Sequence, residues 1–314
     1  MALRARLPGW APLAFLVLAA AVPMLAEAAG NPFWTTIASR MLIFAIAALS
    51  LDLILGYGAM VSFGQAAAVG IGAYAVGISA AHGLNEALLT LPLAMAAGAL
   101  FACLTGIVAV RTRGVHFIMI TLAFGQMAYF TATSLSAYGG DDGLSMWSRN
   151  TLAGFDVLED ERAFYALALV LLAAVWVLAR ALVSSPFGRV LEATRQSEPR
   201  VESLGFSIFA HRLAAYTISG ALAGLAGALL ANHTEFVSPA FMNWQRSGEL
   251  IVMVVLGGVG QLWGAVAGAI VYLGLEHVLS GFTEHWRVIF GPLLVLVVLF
   301  RPGGLAALLG GRRP

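Results

Sequence analysis

Crossing a bilayer core about 30 Å thick takes roughly 20 apolar residues as a helix. Runs of that kind recur near residues 10–26, 37–55, 59–80, 87–110, 115–135, 163–183, 212–232 and 287–301. From 248 to 279 the chain is apolar for longer than one crossing needs, but Gly257, Gly258, Gly260 and Gly264 interrupt it. That stretch reads as two short or half-spanning pieces, near 248–260 and 263–279. The pattern predicts an all-α, polytopic membrane helix bundle of about ten transmembrane segments, some broken or half-spanning, in a single transmembrane domain over 1–314.

The longest charged interruption is 184–212, SSPFGRVLEATRQSEPRVESLGFSIFAHR. Ser185 suits a helix cap and Pro186 a first helical position, while Arg189, Glu192 and Arg195 recur at spacings that share a face. Pro199 lacks an amide hydrogen and disfavours helix at Glu198, so one short helix stops there and a second runs to Gly205, a natural left-handed cap. Leu204 and Phe206 then stand beside charged neighbours. Two readings are open at this point: a solvated connector on the headgroups, or a helix that docks in a partner's groove.

Composition removes whole classes of function. With 60% hydrophobic and 11% charged residues and a mean hydropathy of +0.89, no soluble core accounts for the chain. All 17 basic residues are arginine. A chain with no lysine has no phosphate-loop lysine and no Schiff base, so it cannot hydrolyse nucleotide through a P-loop of its own. Cys103 is the one cysteine and reads as a small buried hydrophobe. The six histidines show no metal-binding spacing.

Charge asymmetry sets the expected orientation. With the N-terminus inside, Arg4, Arg6, Arg111, Arg113, Arg180, Arg189, Arg195, Arg200 and Arg212 fall on the cytoplasmic side, and residues 184–211 form a cytoplasmic loop. Residues 136–162, with Asp141, Asp142, Asp156, Glu159, Asp160 and Glu161, then face outward. Arg301, Arg312 and Arg313 place the C-terminus inside as well. Ala26-Glu27-Ala28 resembles a signal-peptidase site, but a retained first helix is the expectation.

Polar residues inside spans are the default functional candidates. Ser62 and Gln65 lie in the glycine-rich run 56–77, and Thr121 and Gln126 form a second polar stripe. Each set reads either as the lining of a passage or as helix contacts. Asp52 is expected near the cytoplasmic end, within reach of water. No span shows a chain of central carboxylates, and no intramembrane acid has an obvious basic partner in sequence. That pattern argues against a proton- or sodium-driven pump.

Seven stretches in order carry a resemblance: LGYGAMVSFGQAAAVGIGAYAVG from Leu55, GVHFIMITLAFGQMAYF from Gly114, GGDDGL from Gly139, SPFGRVLEATRQSEPRVESLGF from Ser185, ISGALAGLAGAL from Ile218, LGGVGQLWGAVAGA from Leu256 and RPGGL from Arg301. Over 40–308 the chain resembles the branched-chain amino acid ABC transporter permease family, nearer its LivM-type branch than its LivH-type branch. Gln65 stands where a histidine is frequent in that family.

The resemblance implies a pore-forming, non-enzymatic subunit in the bacterial inner membrane. Its partners would be a second related permease, two cytoplasmic ATP-binding subunits, a periplasmic solute-binding protein and the lipid bilayer, with no nucleic acid. ATP would be used by the partner subunits, and no cofactor is implied for this chain. The resemblance makes the 184–211 loop a coupling element, with Arg189, Glu192, Arg195, Glu198, Pro199, Leu204, Gly205 and Phe206 as its residues. Gly139, Gly140, Asp141 and Asp142 are expected at the outer gate or binding-protein contact, against the alternative of a merely hydrated acidic loop. Relatives that carry urea, short amides or other amino acids leave the solute open. A self-sufficient secondary transporter is the competing class.

Overall fold

A computed structural model describes residues 11–282 except 29 and 32, and beyond them 285, 288, 290–292, 294 and 303–305. Most of 287–301, expected as the last crossing, lies outside the described residues. Those described form α1 (Ala11–Ala28), α2 (Phe33–Gly58), α3 (Gln65–Ala81), α4 (Ala87–Ala109) and α5 (Val115–Ser134). After the loop 136–160 come α6 (Glu161–Ser184), α7 (Pro186–Gln196), α8 (Glu198–Ser203), α9 (Ile208–Thr234), α10 (Trp244–Gly257) and α11 (Leu262–Ser280). A two-stranded antiparallel ribbon pairs β1 (Leu144–Ser145) with β2 (Phe236–Val237).

A helix apolar on every side must be surrounded. That is α2, whose last seventeen residues, from Leu42 to Gly58, are buried but for Phe44. Helices α1, α6, α9, α10 and α11 pack around it. Helix α9 is the second core element, with α3 and α4 against its other side. Small residues set those distances: a Cβ on Gly220 would press on Ala102 of α4, and one on Gly72 would collide with the backbone of Gly224. Gly220 and Gly224, four apart on α9, thus let its neighbours approach closely.

Among the described residues six helices, α2, α4, α5, α6, α9 and α11, are long and apolar enough to cross a membrane. The chain is a multi-pass, all-α membrane protein. The stretch 59–80, expected as one crossing, is not one helix. Residues 59–64 are irregular and α3 starts only at Gln65. The split expected between 248 and 279 is present, as α10 and α11 joined through Gly258 and Gly260 at positive φ.

The two charged segments lie at opposite ends of the bundle. One, the elbow end, gathers the C-terminus of α2, helices α7 and α8, the α10–α11 turn and residues 303–305, where the Leu305 amide donates to the Leu256 carbonyl at 3.0 Å. The other, the loop end, holds 136–160 and the ribbon. There Arg149, buried against Phe164, pairs with Glu161 and Glu235.

Candidate functional site

Helix α2 ends at Gly58, and Ala59 takes a left-handed conformation (φ 53°), a cost of roughly 1–3 kcal/mol for a residue with a Cβ. The chain then turns back along α2 without regular structure. At about 1.5 Å per residue, Ser50 lies roughly 12 Å from the end of α2, and the side chain of Gln65 already meets Ser50, so α3 begins part-way along the bundle. Backbone that is not helical at membrane depth must be satisfied by protein or line a cavity. Here protein satisfies it. The Phe63 amide donates to Thr121 Oγ1 (3.2 Å), and the Phe63 carbonyl accepts from Ser247 Oγ (2.6 Å). Ser247 Oγ in turn accepts the Ala66 amide at 3.0 Å, and the Gly64 amide donates to Ser62 Oγ, itself 3.4 Å from Tyr216 Oη.

Gln65, 2% exposed, ties this break to the two core helices. Its amide nitrogen donates to Ser50 Oγ at 2.8 Å and to Ser219 Oγ at 3.0 Å, and Ser219 Oγ donates to the Ser50 carbonyl at 2.6 Å. Of the four residues expected on a passage, the fold thus gathers Ser62, Gln65 and Thr121 at one buried node. Gln126 is half-buried further along α5, and no hydrogen bond among the described residues joins it to them. Ser50, Tyr216, Ser219 and Ser247 complete the node and carry no signal in the sequence, because a lone polar residue in an apolar helix gains its partner only when the helices pack.

At the elbow end the local grammar holds but for one residue: Ser185 accepts the Gly188 amide, Pro186 opens α7, Gly205 is left-handed at φ 84°, and α8 opens at Glu198, one residue earlier than expected. Leu191 and Val201 face inward, whereas Leu204 and Phe206 are 70% and 45% exposed. Arg195 donates to the carbonyl of Gly56 in the last turn of α2. The Glu198 carboxylate receives both Arg113, just before α5, and Arg212 of α9. Arg113, Arg195, Glu198 and Arg212 line a cavity of about 190 Å³ with Ala59 and Phe117. Arg189 is exposed and Glu192 half-buried on the same helix.

Asp52 lies toward the elbow end but is not within reach of water as expected: it is fully buried, and its Oδ1 accepts the Gly260 amide at 2.8 Å. The carboxylate holds the positive-φ turn between α10 and α11 against α2.

Toward the loop end two acids on apolar helices have basic partners, which the sequence expectation lacked. Arg40 of α2 lies 3.6 Å from Glu276 of α11, and Arg246 lies 2.7 Å from Glu249 within α10. Hydropathy cannot show the first pair, because its members come from opposite ends of the sequence. At the loop end itself, Gly139 and Gly140 have positive φ, Gly140 is buried, and Asp141 and Asp142 project from the loop into the exposed surface.

A family model described as branched-chain amino acid transport system, permease component, matches residues 33–298. The chain belongs to that family. The permease is 29% identical to the high-affinity branched-chain amino acid transport system permease protein LivM of Salmonella typhimurium, over 93% of this chain and 73% of that one, and matches the Escherichia coli LivM equally. It is of the LivM type. An autoinducer 2 import system permease protein, LsrC of Enterobacter, is 28% identical over 93% of the permease and 86% of its own length. The LivH permease of Escherichia coli is 29% identical over 38% of the permease. No solved structure matches.

Proposed function

We infer that the permease is the pore-forming subunit of an ATP-binding-cassette importer for branched-chain or similar amino acids in a bacterial inner membrane. In this reading the elbow end and both termini are cytoplasmic. A LivH-like second permease completes the pore, two ATP-binding subunits supply the energy, and a periplasmic binding protein delivers solute at the loop end, beside Gly139, Gly140, Asp141 and Asp142. The permease performs no chemistry and needs no cofactor of its own.

The observation that carries this reading is the contact of Arg195 with the Gly56 carbonyl. It links an elbow with an apolar exposed tip, Leu204 and Phe206, to the residues that break the membrane bundle between α2 and α3. Helix α7 follows α6 after Ser185 and α8 leads into α9 through 204–207, so a push on the tip is transmitted to two spans and, through Arg195 and Glu198, to α2 and α5. Packed helices respond to such a push by switching between arrangements. The LivM names of its relatives support branched-chain amino acids; the LsrC relative shows that family membership alone does not choose the solute.

The test is the assembled transporter in proteoliposomes. Deleting residues 199–205, or Leu204→Asp with Phe206→Asp, is expected to abolish ATP-driven leucine uptake and release the ATPase subunits while the permease still inserts. Normal uptake by either variant would overturn the coupling role.

A further inference from the structure

The cavity of about 190 Å³ at the elbow end is walled by the broken segment 59–61, by residues between 112 and 118 at the start of α5, by α7, and by Glu198 and Arg212. It exceeds the share of one water, about 30 Å³, and falls below the roughly 300 Å³ at which small-molecule pockets begin. One small ionic group suits that space.

Its charges do not balance. Three arginines, Arg113, Arg195 and Arg212, stand against the single carboxylate of Glu198, an excess of two positive charges. Asp52, buried against Gly56 and holding the Gly260 amide, does not line the cavity; with it counted, one positive charge still remains. Arg113 and Arg195 reach solvent at the rim, whereas Arg212 is 8% exposed. The buried cation is therefore the telling one. Glu198 accepts from one Nη of Arg212 at 2.5 Å, and the buried Nε has no hydrogen-bond partner among the described residues. A buried donor without an acceptor is costly, and an anion at this wall relieves it.

The start of α5 adds further donors. Gly114 precedes the helix at φ 57°, no side chain caps it, and a Cβ there would meet nothing within 4 Å. First-turn amides have no intrahelical acceptor and carry the partial positive charge of the helix, which favours an anion. Arg195 gives one Nη to the Gly56 carbonyl, and a guanidinium has five N–H donors. Donors thus converge from α5, α7 and α9. A carboxylate offers two oxygens in one plane; a phosphate group offers three in separate directions, and arginine forks match it.

We propose that this cavity binds a phosphate group of net negative charge, as inorganic phosphate or as an anionic lipid headgroup. Its oxygens lie on Arg212 Nε, on Arg195 and on the first-turn amides of α5, with Arg113 at the rim. Bound there, it staples α5 to α7 and α9. The site stands apart from whatever docks on the exposed tip of the elbow.

The purified full-length permease, in neutral detergent and phosphate-free buffer, is titrated by calorimetry with inorganic phosphate and with acetate at equal ionic strength. Phosphate is expected to bind saturably and acetate at least about tenfold more weakly. Arg195→Gln leaves the Glu198–Arg212 pair in place and should weaken phosphate about tenfold; Arg113→Gln, at the rim, should weaken it less. Arg212→Lys keeps a cation beside Glu198 but replaces the fork by a point charge, and should also weaken phosphate about tenfold. A second arm separates the two sources. The permease is taken from nanodiscs of phosphatidylcholine with and without phosphatidic acid, and native mass spectrometry counts the phosphatidic acid retained. Retention that Arg195→Gln and Arg212→Lys abolish assigns the site to a headgroup, and phosphate binding without such retention assigns it to the free ion. Neither phosphate binding nor retention, acetate binding as tightly as phosphate, or binding and retention unchanged in Arg195→Gln and Arg212→Lys overturns the site.

Discussion

The guanidinium of Arg195, in the last turn of α7, donates to the carbonyl of Gly56, in the last turn of α2. The final carbonyls of a helix lack intrahelical partners and carry its partial negative charge, so the cation both satisfies and neutralises that end. Because the contact joins an exposed elbow to the most buried helix, Arg195→Ala should separate motor from pore. ATP hydrolysis by the assembled transporter is expected to persist while uptake falls about tenfold, within the usual range of coupling energies. Parallel measurement of both rates decides it, and unchanged uptake would sink the link.

Glu198 receives two cations of different burial. Arg212 is nearly enclosed, whereas Arg113 is largely in solvent. Glu198→Ala strands a buried charge and should cost on the order of 3 kcal/mol. Arg113→Ala removes an exposed partner and should cost less than about 1 kcal/mol. Unfolding in mixed micelles measures both; the reverse order would show that the bridge does not hold α8 to α9.

Ser247 serves two backbone groups of the broken segment at once, the Ala66 amide and the Phe63 carbonyl. Ser247→Ala leaves both buried without that partner, at about 1–3 kcal/mol each. Hydrogen exchange at the Ala66 amide should accelerate with the loss of stability. Unchanged exchange would mean that α3 is held at its start by something else.

Two glycines give opposite expectations for the same substitution. Gly72→Ala drives a methyl into the backbone of Gly224 and should force α3 from α9, at about 1–3 kcal/mol or more. Gly274→Ala meets only the Met41 terminal methyl at 3.8 Å, so the gain in helix propensity, up to ~1 kcal/mol, is expected to appear. Thermal unfolding of the two variants side by side is the check. Similar effects would contradict backbone-to-backbone packing of α3 on α9.

Much of the permease was legible in one dimension because the deciding forces are local. Apolar run length marked the six long helices though not the break at 59–64, Pro199 and Gly205 set the elbow, and the separation of arginine from acid placed 184–211 and 136–162 at opposite ends. Tertiary structure alone decided what the polar residues do. A helix that is apolar on all sides shows no face, so nothing in α2 or α9 marks Ser50 or Ser219 as the partners of Gln65, the latter 154 positions away. Nor does hydropathy reveal that Arg40 meets Glu276, or that Asp52 turns inward to hold Gly260. In a low-dielectric interior each such group must find a partner, and that partner is fixed by which helices pack together.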